Sequence, residues 1–297
     1  MRIGIDLGGT KTEGVVMDDY GTEIIRQRVA TPVDKGYQAI LANIVQLVTQ
    51  LETEVGEKCT VGIGTPGAVS SVTGMMKNCN TTCLNDKPLL DDLQQQLKRP
   101  LRIANDANCF ALSEAIDGVA ASYGVVFGVI MGTGVGAGVI FNRTLHEGQQ
   151  HIAGEWGHNI LEPNGPNCYC GHKGCVETLI SGPGFAADYH RHGGDKQLVA
   201  KDIVSLATQG DSCAEAAFQR FLGRFGRALA MVVNILDPDA IVLGGGLSNI
   251  ERLYSEGGEQ VAHYVFNDEF TTPILRNSHG DSSGVRGAAQ LWQASKG

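Results

Sequence analysis

The chain is short of basic charge. Its 297 residues carry 23 Lys and Arg against 32 Asp and Glu, a formal net charge of −9. A nucleic-acid partner needs a basic face to meet phosphates, so this balance argues against one. It leaves room for a phosphate-bearing cofactor, which needs only local donors. Prolines are few, nine in all, and 42 % of the residues are hydrophobic, as in a globular protein with a real core. Eight cysteines are too few and too scattered for a secreted disulfide framework, so a reducing, cytoplasmic setting is expected. No signal peptide is expected, because Met1-Arg2-Ile3-Gly4-Ile5-Asp6 meets an acid at once. Residues 118–142 carry no charge over 25 positions, long enough to cross a membrane, but seven of them are Gly and the apolar ones are mostly Val and Ile. That composition reads as two strands around a glycine turn, so no membrane partner is expected. A chain of this length is one large domain or two lobes.

What is present is concentrated between Gly154 and Glu177. Gly154-Glu155-Trp156-Gly157-His158 is followed, nine residues on, by Cys168-Tyr169-Cys170-Gly171-His172-Lys173-Gly174-Cys175-Val176-Glu177. One His and three Cys at these spacings suit a tetrahedral Zn²⁺. The plainer reading is buried thiols, or a disulfide plus one spare. Cys168 and Cys170 make a poor disulfide, since a one-residue loop strains the bridge. Gly171 and Gly174 suit the tight turn that lets thiolates converge. His158 and His172 compete for the fourth position, and His158 is favoured because His172 sits inside the loop between Cys170 and Cys175. Four protein ligands imply a structural, closed site. Glu155 and Glu177 bracket the cluster, an arrangement for holding polar side chains still around a hydrophilic ligand.

Along the chain, Arg2 to Leu7 reads as a strand, followed by a glycine turn, a strand from Glu13 to Met17 and an apolar run from Glu23 to Val29. Ile40, Leu41, Ile44, Leu47, Val48 and Leu51 give residues 36–55 the spacing of an amphipathic helix. Val61 to Gly64 is a short buried strand ending at Thr65-Pro66-Gly67. Leu89 to Leu97 is a helix, Leu101 to Ala104 a strand and Asp106 to Asp117 a helix. The pattern then restarts: strand Val125 to Met131, turn Gly132-Thr133-Gly134, strand Gly136 to Phe141. This echo of the first 17 residues predicts two lobes built on one plan. Helices follow the zinc segment, including Cys213 to Leu236 with a glycine interruption. A strand, Ala240 to Leu243, runs into Gly244-Gly245-Gly246 and then a helix, and Gly284 to Trp292 reads as a helix that returns to the first lobe.

Asp6-Leu7-Gly8-Gly9-Thr10-Lys11-Thr12 lies between two strands. Paired glycines let backbone N–H groups converge on an anion; Thr10, Lys11 and Thr12 add donors, and Asp6 could hold hydrated Mg²⁺. The plain alternative is a hairpin turn. The segment is neither a Walker A loop nor a strand–GxGxxG–helix, so neither set of rules applies directly. Gly132-Thr133-Gly134 offers the same chemistry from the second lobe, and Gly244 to Gly246 could admit a flat ring or ribose. Three such strand-end turns favour a nucleotide clamped between two lobes. Asn105-Asp106 ends a strand and starts a helix. Asp106 could be only an N-cap, or could also accept the proton of an alcohol during phosphoryl transfer.

Together these residues resemble the ROK family of sugar kinases and repressors. The resemblance runs over essentially the whole chain: the Asp6-to-Thr12 loop, Asn105-Asp106, Gly132 to Gly136, the Glu155-to-Glu177 segment, Ile241 to Gly246, and His279-Gly280-Asp281-Ser282-Ser283-Gly284-Val285-Arg286-Gly287-Ala288-Ala289. The zinc segment is the most specific. It implies an α/β, two-lobed actin-like (hexokinase/Hsp70) ATPase fold with RNase H-like duplicated domains: residues 1–120 plus 284–297 as one lobe, 121–283 as the other, with the zinc segment 154–177 in the second. It implies Asp106 as general base, and Asn105, Glu155, His158 and Glu177 as hydrogen-bond partners of sugar hydroxyls, with Gly67 and Asn80 lining the same pocket. His158 would give one ring nitrogen to zinc and the other to sugar, and Cys168, Cys170 and Cys175 would complete the metal site. Gly8, Gly9, Thr10, Lys11 and Thr12 with Gly132, Thr133 and Gly134 would hold the phosphates of Mg·ATP, and Gly244 and Gly245 the adenosine end.

The implied cofactors are ATP, Mg²⁺ and structural Zn²⁺. Asn78-Cys79-Asn80-Thr81-Thr82 and the His279 segment resemble bacterial fructokinases and mannokinases most. The expected reaction is therefore phosphorylation of a free hexose at its primary hydroxyl, D-fructose to D-fructose 6-phosphate. The alternatives are an N-acetylglucosamine or glucose/mannose kinase and, from another class, a non-catalytic sugar-sensing regulator. Regulators of the family carry an N-terminal helix-turn-helix, whereas this sequence opens on a strand. Homodimers are common in the family, so a homodimer is expected.

Overall fold

A computed structural model describes residues 1–292; residues 293–297, assigned to the first lobe from the sequence, lie outside the described residues, as does the side chain of Asp281. The chain divides into two compact units, one of Met1–Ala121, Gly138–Ala153 and Ser278 onward, the other of Ser122–Ala137 and Gly154–Asn277.

In the first unit, β1 (Arg2–Leu7), β2 (Lys11–Met17), β3 (Glu23–Ala30), β4 (Thr60–Thr65) and β7 (Arg102–Asn105) form a sheet in the order β3-β2-β1-β4-β7. β1 is antiparallel to β2 and parallel to β4, and β4 is parallel to β7. α1 (Tyr37–Val55) buries the six apolar positions its spacing picks out and ends on Gly56, whose left-handed φ of 76° closes the helix. Those residues share one core with Ile3, Ile5, Leu7, Val61 and Ile63. On the opposite sheet face, α9 (Ser283–Gln290) lies so close that side chains do not fit. A Cβ on Gly4 would stand 2.0 Å from the Val285 carbonyl, and one on Gly62 would stand 1.9 Å from that of Ala288. These two glycines let the C-terminal helix seat on the first unit, where the sequence returns it.

The His279 segment fastens that helix. Glu114, fully buried on α3 (Asp106–Ile116), accepts from Ser283 Oγ at 2.8 Å and from the Ser278 and His279 amides at 3.0 and 3.3 Å. Burial pushes Asp117 up, but hydrogen bonds from His279, Gln290 and Arg286 outweigh it and hold its carboxyl at about 2. The short pair β5 (Ala68–Val69) and β6 (Met76–Lys77) and α2 (Leu89–Leu97) complete the unit's first segment. Residues 138–153, placed with the second lobe from the sequence, cluster with the first unit instead. Gly138 packs on α3, where a Cβ would meet Ala111 at 2.8 Å, and His151 Nδ1 lies 3.0 Å from the Val69 carbonyl.

The second sheet runs β10-β9-β8-β11-β12, with β8 (Val125–Met131), β9 (Val135–Phe141), β10 (Thr144–Leu145), β11 (Ala240–Gly244) and β12 (Ile274–Arg276). Its order repeats that of the first sheet, strand for strand. Both strands read from uncharged residues 118–142, β8 and β9, are present, and among the described residues no helix is long and apolar enough to cross a membrane. The second unit's helices are α4 (Val176–Ile180), α5 (Gly182–Arg191), α6 (Ala200–Thr208), α7 (Ser212–Leu236) and α8 (Glu256–Tyr264). α7 is continuous through Gly223 and Gly226, where the sequence suggests an interruption. Gly226 serves packing, since a Cβ there would lie 2.5 Å from the backbone of Gln260 on α8. After β11 the chain makes two 3-10 turns, Gly246–Asn249 and Glu251–Leu253, before α8, so the glycine triplet does not lead straight into an α-helix.

Candidate active site and metal centre

The sequence-chosen residues fall into two clusters, one on each unit. In the first unit the parallel strand ends place Asp6 opposite Gly64 and Thr65 opposite Asn105. Asn105 is the N-cap of α3: its Oδ1 accepts the Ala107 amide at 2.8 Å, and Asp106 Oδ1 shares that amide at 2.8 Å. Capping therefore belongs to Asn105, and Asp106 is the first helical residue, at the positive end of the helix dipole. A cavity of about 680 Å³ reaches Asn105 from the β7 edge, lined also by Asn108, Glu147 and His151.

Asp6 is the perturbed acid of this cluster. Burial, then the charges of Asp106 and Glu13, push its carboxyl from 3.8 up to about 6, against the opposing pull of Lys11. A buried acid beside like charges is what a divalent cation relieves. The folded protein holds the Asp6 proton more tightly than the unfolded chain does. Stability therefore falls as pH rises from the unfolded value near 4 to the folded value near 6. Asp6→Asn is expected to stabilise the metal-free protein by about 1–2 kcal/mol at neutral pH, with no gain below pH 4. Urea denaturation at the two pH values checks this, and equal stability at neutral pH would remove the strained-acid reading.

The Gly8-to-Thr12 loop is braced from behind. Thr12 is fully buried, its hydroxyl 2.9 Å from that of Thr31, which in turn donates to the Gly8 carbonyl at 2.8 Å. Thr12 therefore faces the interior rather than a ligand, a correction to the reading of three outward donors; Gly9, Thr10 and Lys11 are exposed. A Cβ on Gly9 would lie 3.6 Å from Thr81 Oγ1, which puts the loop beside Asn80 and Thr81. Gly67 packs on Cys79, where a Cβ would meet Sγ at 2.5 Å, and Asn85 holds Cys79 by hydrogen bonds of 2.9 and 3.1 Å. Thr31 and Asn85 carry no motif signature, and only the fold reveals them.

In the second unit, Glu155–His158 is a 3-10 turn. Trp156 anchors it, donating Nε1–H to the Ala228 carbonyl on α7 at 3.1 Å and packing edge-on against Phe127. Gly157 lets it sit on β9, since a Cβ would lie 2.1 Å from the Val135 carbonyl. His158, Cys168, Cys170 and Cys175 converge, with their four ligand atoms within 4.8 Å of one another. Cys170 Sγ is 3.6 Å from Cys175 Sγ, and Cys168 Sγ is 3.6 Å from His158 Nδ1. A tetrahedron with Zn–S bonds of about 2.3 Å has edges of about 3.8 Å, so the donors stand at coordination spacing. His172 Nδ1 lies 3.5 Å from Cys170 Sγ and is outside the four-atom group.

Burial pushes the Cys168 thiol up, and burial with the neighbouring thiols pushes Cys175 up to about 12. For Cys170 burial is outweighed by hydrogen bonds from His172 and the other two thiols, which hold it near 6. Three thiols this close ionise together only around a cation, and the donor set fits Zn²⁺.

The metal segment is tied to the helices by charge. Glu162 accepts from Arg224 Nε and Arg227 Nη2, each at 2.9 Å, and Arg224 Nη1 reaches the buried Asp188 on α5 at 2.7 Å. The sequence patterns do not single out this network. Gly174 must be glycine: its φ is 68°, and a Cβ would lie 1.6 Å from the Glu162 carbonyl. Glu177, in the first turn of α4, accepts the Val135 amide at 3.0 Å, and a Cβ on Gly134 would stand 2.6 Å from the same oxygen. One carboxylate thus ties the end of the Gly154-to-Glu177 segment to the Gly132-Thr133-Gly134 turn and β9. At the far glycines, Gly244 is buried in β11, while Gly245 is exposed with φ 77°, and a Cβ on it would lie 2.4 Å from the Met131 carbonyl.

The family model described as "ROK family" matches residues 2–295. The chain belongs to the ROK family. It is 39 % identical over 303 residues to the N-acetyl-D-glucosamine kinase of Haemophilus influenzae, covering 98 % of this chain and 99 % of that one. Among solved structures it is similar to the ROK hexokinase of Thermus thermophilus, with TM-score 0.87, 30 % identity and coverage of 97 % of this chain and 96 % of that one. It is also similar to a ROK glucokinase of Streptomyces griseus in complex with glucose and AMPPNP, with TM-score 0.80, 27 % identity and 98 % coverage of both. The fold is accordingly the actin-like two-lobed ATPase fold of ROK proteins, and sugar kinase is the activity these full-length relatives carry. The fructose expectation finds no support among them.

Proposed function

We propose that this ROK sugar kinase transfers the γ-phosphoryl group of ATP to the primary hydroxyl of N-acetyl-D-glucosamine. The observation that carries the substrate is full-length identity of 39 % to a kinase of that name, which replaces fructose with the alternative. Asp106 takes the proton of the reacting hydroxyl, aided by its place at a strand end, where Asn105 also accepts the Ala107 amide. Asn105, Gly67 and Asn80 on the first unit, and Glu155, His158 and Glu177 on the second, are assigned to sugar hydroxyls. Zn²⁺ bound by His158, Cys168, Cys170 and Cys175 would fix the imidazole's orientation and tautomer. Asp6 would hold Mg²⁺, a role supported by its burial and by the Asp106 and Glu13 charges that push its carboxyl up in the metal-free protein. Gly8 to Lys11 and Gly132 to Gly134 supply donors for phosphates, and Gly244 and Gly245 lie toward adenosine.

The test is ADP release with Mg·ATP across N-acetylglucosamine, N-acetylmannosamine, glucose, mannose and fructose. N-acetylglucosamine is expected to lead fructose in kcat/KM by at least about 100-fold, since a site built to hydrogen-bond one substituent pattern leaves polar groups unpaired with another. Turnover led by fructose would return the substrate to the first reading. Saturable sugar binding without turnover would favour a sugar sensor.

A further inference from the structure

Tyr169 stands between two of the converging cysteines, yet the residue is 75 % exposed. Its hydroxyl lies 3.0 Å from His158 Nε2, and the two rings meet edge-on at 5.1 Å. The other ring nitrogen, Nδ1, is the one that faces Cys168 Sγ at 3.6 Å. The imidazole is therefore divided: Nδ1 turns toward the sulfurs, and Nε2 is directed at a hydroxyl. That hydroxyl is supplied by the protein itself.

From this we infer that Tyr169 is a specificity-determining residue, whose phenol holds the place on His158 Nε2 that a sugar hydroxyl takes on binding. The inference rests on the proposed role of His158 in sugar binding. With a cation on Nδ1, the ring's one remaining proton is on Nε2, so Nε2–H donates and Tyr169 Oη accepts. A single N–H serves one good acceptor at a time. Sugar and phenol therefore exclude each other, and a sugar enters by swinging the phenol aside. The exposed ring can leave without opening a cavity in the core. The consequence is selective. A ligand that offers a hydroxyl to Nε2 replaces what it displaces, whereas one lacking it leaves the N–H with the phenol or with nothing.

The test is calorimetric titration of zinc-loaded protein with N-acetylglucosamine, wild type against Tyr169→Phe, with zinc per chain measured in both. Phe keeps the ring and removes only the competing oxygen. The expected result is binding about 3- to 10-fold tighter in the variant at unchanged zinc content, the size of one competing neutral hydrogen bond. A residue that only shapes the metal loop would give weaker binding and lost zinc, so the sign of the change is the discriminating readout. Equal or weaker sugar binding in the variant, with zinc retained, would overturn the inference while leaving the substrate reading in place. Loss of zinc in the variant would overturn it too, by making Tyr169 a loop-shaping residue. If neither protein binds any sugar of the panel, the substrate reading falls first and this inference with it.

Discussion

Asp106→Asn lowers kcat for sugar phosphorylation by about 10³–10⁴-fold while the protein stays folded. The amide cannot take the proton of the reacting hydroxyl, and a positioned base contributes about 10²–10⁴ to such a step. The fold tolerates the change for a visible reason. The Ala107 amide keeps Asn105 Oδ1 as its acceptor at 2.8 Å, so α3 remains capped. Asn would also remove a charge that pushes the Asp6 carboxyl up, so the metal-free variant should be no less stable than the wild type. Initial rates with N-acetylglucosamine and Mg·ATP, beside a sugar titration, separate the two effects. Sugar affinity is expected to stay within about threefold, because one neutral hydrogen bond acceptor replaces a charged one at the same place. Near-normal turnover would remove Asp106 as the base, and a collapse of sugar binding with turnover would make it a binding residue instead.

Most strands and helices are legible in the sequence because their periodicity is set by one-sided burial. α1 shows this best: each apolar position of its 3.6-residue pattern is buried, and the glycine that ends it follows directly. The repeat of strand, glycine turn and strand shows where the second sheet begins, and the two sheet orders match. What the sequence conceals is contact at long separation. Residues 138–153 look like a continuation of the second lobe because the chain runs straight through β9, and only packing on α3 and on Val69 assigns them to the first unit. Thr12 reads as a phosphate donor beside Thr10, but strand alternation and a partner 19 residues away, Thr31, turn it inward. Gly226 reads as a helix interruption because propensity is local, whereas its reason lies on α8. The converging Cys/His set is the exception, since cysteine is rare and the loop that gathers it is short, so the grouping of His158, Cys168, Cys170 and Cys175 could be picked out without coordinates.

Cys170→Ser empties the metal site and raises the KM for sugar by about 10- to 100-fold, with the KM for ATP within about threefold, the range seen when the groups supporting a metal centre are altered. Cys170 is the exposed member of the set, so its replacement does not disturb a core, and serine keeps nearly the same volume. It is also the thiol held near 6 and hence the readiest thiolate of the three. Without it, Cys168 and Cys175 hold their protons, and a cation loses its most available charge. Cys168 Sγ still faces His158 Nδ1 at 3.6 Å, but without a cation there the choice of which ring nitrogen carries the proton is no longer fixed. The defect should stay local. Glu162 remains bound to Arg224 and Arg227, Arg224 to Asp188, and Trp156 to Ala228, so the segment keeps its attachment to α5 and α7 after the metal is gone. The residues assigned to phosphate in the first unit share none of these contacts. Zinc per chain by metal analysis, together with both KM values, tests the coupling. Zinc lost with sugar KM unchanged would make the metal a stabiliser of the loop alone, and equal damage to both substrates would mean that the unit as a whole had failed.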